Sequence, residues 1–134
     1  MAESRRTVLI VDDSGPCATN LEIALGGIPN IEVEVKGNGR EALEYLESHP
    51  QADLRAMLTD LQMPQMDGFE LIREVRARER YAGVPIIVLT GDPDPRTREQ
   101  LNDLRLAAHF RKPYSLLAVR QCVEQILNDP PGMP

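Results

Sequence analysis

Thr7-Val8-Leu9-Ile10-Val11-Asp12-Asp13-Ser14-Gly15-Pro16 runs from an unbroken apolar segment into two adjacent carboxylates and then into a turn that can open a helix. A strand that is apolar at every position, and not only at every second one, is covered on both faces. Leu54 to Thr59 and Pro85 to Leu89 have the same form, whereas Ile31 to Val35 alternates through Glu32 and Glu34 as an edge strand does. A weaker fifth run, Ala107 to Arg111, precedes Lys112-Pro113.

Stretches with helical spacing separate these runs: Ala18 to Leu25, Arg40 to Glu47, Gly68 to Arg78, Thr97 to Leu106 and Ser115 to Leu127. Leu43 with Leu46, Leu71 and Ile72 with Val75, and Leu116, Val119, Val123 and Ile126 each mark one buried stripe. The breakers fall between elements, at Gly26-Gly27 with Pro29, at His49-Pro50, at Gly83 with Pro85 and along Asp92-Pro93-Asp94-Pro95. Strands and helices alternating in this way predict an α/β fold, a doubly wound five-stranded parallel sheet with helices on both faces, because each crossover returns right-handedly over the sheet.

The chain has 134 residues, which fits one domain. Residues 1–6 read as an N-terminal tail, 7–128 as the domain, and Asp129 to Pro134 as a proline-rich tail or linker stub. Fifteen basic residues against 21 acidic ones give a net charge of -6, which disfavours nucleic acid or an anionic membrane surface as partner. The longest apolar runs are far short of a membrane span, no signal peptide is visible, and Cys17 and Cys122 lack metal-ligand spacing, so a cytoplasmic protein is expected.

In an open parallel sheet, ligands bind beyond the carboxyl ends of the strands, where crossovers diverge to opposite faces. Asp12 and Asp13 follow the first run, Asp60 the third, Thr90 the fourth and Lys112 the fifth. With the edge-like run outside the first and the first beside the third, the three carboxylates converge in one crevice lined by Thr90 and Lys112. Such a cluster persists only with shifted protonation or a bound cation. Oxygen ligands with water suit Mg²⁺, and a carboxylate beside that ion can attack phosphorus to give an acyl phosphate. The charge on the transferred group calls for a cation and a hydroxyl donor, the types Lys112 and Thr90 supply. Only Lys36 and Lys112 among the 15 basic residues are lysines, and a compact ammonium suits a tight phosphoryl pocket better than a guanidinium fork.

Val8 to Ser14, Leu58-Thr59-Asp60-Leu61-Gln62-Met63-Pro64-Gln65-Met66-Asp67-Gly68, Pro85 to Gly91, and Phe110-Arg111-Lys112-Pro113 together resemble the receiver domain of response regulators, the CheY-like family of two-component signalling. Asn38 to Leu43 resembles the family's second-helix start. The resemblance implies strand order 2-1-3-4-5 and a phosphorylation-controlled switch. It implies Asp60 as phosphoacceptor, and Mg²⁺ held by Asp13, Asp60 and the backbone carbonyl of Gln62, with Asp12 acting through water. Thr90 and Lys112 would engage the phosphoryl group, and Lys112-Pro113 would be a cis peptide. The implied partners are a sensor histidine kinase or phosphotransfer protein and a downstream protein target or fused output domain. They would be reached through the face of the fourth helical stretch, fifth strand and fifth helical stretch, which could also carry a phosphorylation-dependent homodimer.

The sequence departs from the family pattern at three places. His109 stands at the switch position commonly held by Tyr or Phe, Gly91 replaces a frequent alanine, and Arg105-Leu106-Ala107-Ala108 lacks the glycine often found before the fifth strand. Gln62 and Asp92 fall at positions that modulate dephosphorylation in the family. Taken singly, Asp12-Asp13 also reads as a helix cap and Asp67 as the cap of the third helix. Two rival functions are a Mg²⁺-dependent phosphatase and a receiver-like adaptor that binds its partner regardless of phosphorylation.

Overall fold

In the computed structural model of the chain, residues 6–63, 65–91, 99–101 and 104–128 are described. Pro64 of the Met63-Pro64 turn, Asp92 and the breaker run after it, part of the stretch Thr97 to Leu106, and the proline-rich tail lie outside them. The strands are β1 (Arg6–Val11), β2 (Ile31–Lys36), β3 (Asp53–Asp60), β4 (Ile86–Thr90) and β5 (Ala108–Arg111). They form one sheet of order β2-β1-β3-β4-β5, every neighbouring pair parallel.

The continuously apolar runs are the covered strands. Val8 and Ile10 point to one face, where they pack with Leu21 and Leu25 of α1 (Gly15–Leu25) and Val119 and Val123 of the C-terminal helix α4 (Leu116–Asn128). Leu9 and Val11 point to the other, among Leu46 of α2 (Gly39–Ser48) and Leu71, Ile72 and Val75 of α3 (Gly68–Ala77). Side chains that alternate between two covered faces explain why neither face of these strands is polar. At the edge, β2 leaves Glu32 exposed.

Each helix start is fixed by a short polar side chain. Ser14 Oγ accepts from the Cys17 N–H, and Pro16 sits in the first turn, so α1 begins before the expected Ala18. Asn38 Oδ1 accepts from Glu41 N–H while its amide donates back to the Glu41 carboxylate. Asp67 Oδ1 accepts from Glu70 N–H. Arg6, assigned from the sequence to a tail, is the first residue of β1. Its guanidinium donates to the carbonyls of Leu127 and Pro29, which ties the strand to both chain segments beside it.

The missing glycine before β5 is replaced by a strained arginine. Arg105 has φ 55°, in the left-handed region that costs a side-chain-bearing residue about 1 kcal/mol. Its carbonyl is held by Arg76 of α3, whose guanidinium also donates to the carbonyls of Tyr81, Ala82 and Val84. One side chain thereby fixes the entries to both β4 and β5. Arg105→Gly is expected to raise unfolding free energy by about 1 kcal/mol, and Arg76→Met to lower it by about 2 kcal/mol through lost charged hydrogen bonds. Urea denaturation of the two variants measures both. Among the described residues no helix is long and apolar enough to cross a membrane.

Candidate functional site

The order β2-β1-β3 sends the crossovers after β1 and β3 to opposite sides, which opens a crevice above the carboxyl ends of those strands. Asp12 follows β1 directly, and Asp60 is the last residue of β3 and not the residue after it. Asp12, Asp13 and Asp60 each present a carboxylate oxygen there, all within 4.8 Å of one another. Asp12 and Asp60 are buried, and Asp13 is exposed at the rim.

Lys112, one residue beyond β5, reaches across the crevice. Its Nζ donates to Asp60 Oδ2 at 2.9 Å and lies 3.9 Å from Asp12 Oδ2. Asp60 Oδ1 accepts from the Gln62 N–H at 3.2 Å, and Asp12 Oδ1 from the Ser14 N–H at 2.9 Å. Asp12 Oδ2 is buried and has no hydrogen-bond donor. Burial pushes the Asp12 carboxyl above its ordinary range, the Ser14 N–H and Lys112 pull it back, and the charges of Asp60 and Asp13 add to the rise. Burial disfavours the Lys112 ammonium, but its hydrogen bond to Asp60 and the charges of Asp60 and Asp12 outweigh that and raise its pKa.

Thr90 ends β4, buried, as the last residue of the strand. Its carbonyl accepts from the Lys112 N–H at 2.7 Å, which couples the two residues through backbone. The Lys112–Pro113 peptide is cis. His109 is exposed on β5 opposite Val88, while the adjacent Phe110 turns inward to the α1 and α4 side.

The response regulator receiver domain family matches residues 8–124. The chain belongs to that family. The receiver shares 35% identity over 123 residues with the chemotaxis protein CheY1 of Helicobacter pylori, covering 90% of this chain and 96% of that protein. It shares 33% over 121 residues with the sensor histidine kinase TmoS of Ectopseudomonas mendocina, but spans only 12% of that protein, and 14% and 6% of two other matching histidine kinases. A solved response regulator receiver protein from Pseudomonas putida superposes with TM-score 0.81 at 32% identity, over 92% of this chain and 99% of that one. The receiver domain of a signal transduction histidine kinase from Syntrophus aciditrophicus gives 0.83 at 26% identity, over 96% and 95%. The doubly wound fold read from the residues and the two-component family implied by the resemblance therefore hold.

The receiver places Asp12, Asp13, Asp60, Thr90 and Lys112 around one crevice and Gln62 at its rim. The reading of Asp12-Asp13 as a helix cap is corrected: Ser14 caps α1, and Asp12 supports the turn before it. Gly68 has a role the sequence reading missed. A Cβ there would press on the Asp60 carbonyl oxygen and lie 2.8 Å from Leu61 Cα, while the Gly68 N–H donates to the Leu61 carbonyl. The signal was present in Asp67-Gly68, but the pair read as a cap alone.

The donor set fits a hard divalent cation. All its side-chain donors are carboxylate oxygens, one buried oxygen lacks a hydrogen-bond donor, and among the described residues the Lys112 ammonium pairs with only two of the three carboxylates. Asp12→Asn is expected to stabilise the metal-free receiver. A carboxyl whose native pKa is raised contributes stability that is present below the ordinary 3.8 and is lost as pH climbs through the native value, so its charged form carries a penalty that asparagine removes. Relief of about 1 kcal/mol, or about 3–4 °C in Tm, is expected, together with a loss of at least about tenfold in divalent-cation affinity. Calorimetric melting and isothermal titration read the two opposite effects.

Proposed function

We propose that this receiver accepts a phosphoryl group on Asp60 in a Mg²⁺-dependent reaction and so switches the surface it offers to a protein partner. The observation that carries the reading is the Lys112 ammonium held at 2.9 Å from Asp60 and 3.9 Å from a donorless oxygen of buried Asp12. A purely structural ion pair needs one carboxylate, and this ammonium has two within 4.0 Å, with a third, Asp13, clustered beside them.

Asp12, Asp13, Asp60 and the backbone carbonyl of Gln62 would hold Mg²⁺, which when bound offsets the negative charge of an incoming phosphoryl group. An Asp60 carboxylate oxygen attacks phosphorus in line, the phosphorus–nitrogen bond of a phosphohistidine donor breaks, and the electron pair leaves with the imidazole, which takes a proton from solvent. Lys112 is already aimed at Asp60 and exchanges its carboxylate contact for a phosphoryl oxygen. Thr90 turns its hydroxyl to the same group, and His109 responds on the outer side of β5. The chain is thus a signalling phosphoacceptor and not a turnover enzyme, its donor a sensor histidine kinase or phosphotransfer protein in the cytoplasm.

Incubation with phosphoramidate and Mg²⁺ should give one phosphoryl group per chain, labile to hydroxylamine. Removing the divalent cation with EDTA should slow this at least about 100-fold. Equal labelling with and without the cation contradicts the proposal, and intact-mass spectrometry reads the result.

A further inference from the structure

Between the edge strand β2 and the end of α2 lies a cavity of about 520 Å³, a volume ordinary for a small-ligand site. Thr7 and Asp53 of its lining lie at the starts of β1 and β3. Asp12 and Asp60 stand at the other ends, roughly 16 Å or more away along the strands. Ile31, Val33 and Val35 turn to the α1 side of the sheet, so Glu32, Glu34 and Lys36 turn to the α2 side. There the two glutamates line the cavity with Tyr45, His49, Pro50 and Ala52.

Tyr45 is buried and stacks on His49, with ring centroids 4.4 Å apart. Burial and then the Glu34 charge push its hydroxyl above the ordinary range, with a smaller push from Glu32 and against a Thr7 hydrogen bond. Lys36 Nζ lies 5.2 Å from the Tyr45 ring centroid and 4.0 Å from Glu34 Oε2. One of the chain's two lysines thus seats its ammonium where an aromatic face meets a carboxylate, the chemistry that recognises an organic cation. Among the described residues Glu32 has no ion pair, and Asp53, at the far end, is held by Arg55 at 2.8 Å. Among those residues, too, only Asp12, Asp13 and Asp60 bring three ligand atoms together, so this cavity is no seat for a compact metal ion.

We propose that the cavity binds an organic cation, an alkyl chain ending in an ammonium or guanidinium group. The cationic end meets Glu32 and Glu34, and the alkyl part lies against Pro50 and Ala52. Lys36 is the internal rival of this guest, and its 4.0 Å contact with Glu34 is an ion pair that a guest displaces at little cost. A free polyamine and a lysine or arginine side chain of a protein both carry this chemistry. The site does not depend on phosphorylation of Asp60.

Titration of the full chain in saturating Mg²⁺, followed by amide NMR shifts, tests the inference. The guests are cadaverine, a Gly-Arg-Gly peptide blocked at both ends, and the uncharged pentanediol; Mg²⁺ keeps them from Asp12, Asp13 and Asp60. A cation should shift the amides of Glu32, Glu34, Ser48 and His49 at millimolar concentration, and the diol should not. Preference for cadaverine makes a free polyamine the source, and preference for the peptide makes it a protein side chain. Glu32→Gln and Glu34→Gln should each weaken binding about threefold, and together about tenfold. Both residues sit on an edge strand and reach solvent, so the fold is not at stake. Lys36→Met should tighten binding about threefold, whereas Arg73→Gln, which removes the same charge from an exposed position on α3, should not. Equal binding of the diol, no shifts with either cation, unchanged affinity in the double variant, or equal tightening by Lys36→Met and Arg73→Gln overturns the site. Shifts confined to Asp12, Asp13 and Asp60 overturn it in favour of the carboxylate crevice.

Discussion

Asp60→Asn is expected to lower the rate of phosphoryl transfer from phosphoramidate by at least about 100-fold, because a neutral amide oxygen is a far weaker nucleophile toward phosphorus than a carboxylate. The fold should survive the change. Asp60 sits at the end of a strand in which Ala56, Met57 and Leu58 are wholly buried and apolar, and asparagine matches its shape. The Gln62 N–H keeps an oxygen to donate to, and one of three crowded negative charges is removed. Lys112 loses its 2.9 Å partner but keeps Asp12. Rate loss with an unchanged or higher melting temperature is therefore the signature. A variant that melts early would instead point to a structural ion pair. Rapid mixing with the phosphodonor, followed by quantitation of hydroxylamine-labile phosphate, gives the rate.

Gly68→Ala should carry the largest stability cost of any single methyl addition near the site. The added carbon would meet the Asp60 carbonyl oxygen, Leu61 Cα at 2.8 Å and a Leu61 side-chain carbon at 3.0 Å. Two of these three are backbone, so no rotamer change relieves them, and α3 must move away from β3. Overpacking of this kind costs about 3 kcal/mol, or about 10 °C in Tm for a domain of this size. The displacement also shifts Asp60, the residue α3 abuts, so phosphorylation should slow in molecules that remain folded. By contrast, a Cβ at Gly15 would meet nothing within 4 Å, and Gly15→Ala serves as the control. Guanidinium denaturation of the two variants separates a local clash from a general effect of removing glycine.

The elements most legible in the sequence were those with redundant signals. Covered strands announce themselves by continuous apolar character, and β1, β3 and β4 did so; alternation marked β2 as an edge, where the sheet places it. Carboxylates immediately at strand ends identified the crevice, since such residues gain nothing from burial unless they meet a partner there. Boundaries were less legible. Asp60 and Thr90 lie within their strands because the hydrogen-bond ladder extends one residue beyond the apolar run, a backbone matter that side chains do not encode. Ser14 was passed over as a cap because the more conspicuous Asp12-Asp13 stood beside it. Arg6 looked like tail because its anchors, the carbonyls of Pro29 and Leu127, are distant in sequence and carry no side-chain signature.

The Arg76 clamp has no counterpart in the sequence pattern. The Arg76 clamp joins α3 to carbonyls at residues 81, 82, 84 and 105, and carbonyl positions follow from the fold and not from residue type. The clamp explains how Arg105 tolerates a left-handed backbone where a glycine was expected.

Peptide mapping of the chain after reaction with phosphoramidate and Mg²⁺, with the acyl phosphate trapped by borohydride reduction, tests the assignment most directly. Conversion of Asp60 alone to homoserine is the expected result. Modification of Asp12 or Asp13 in its place, or of no carboxylate, would contradict it.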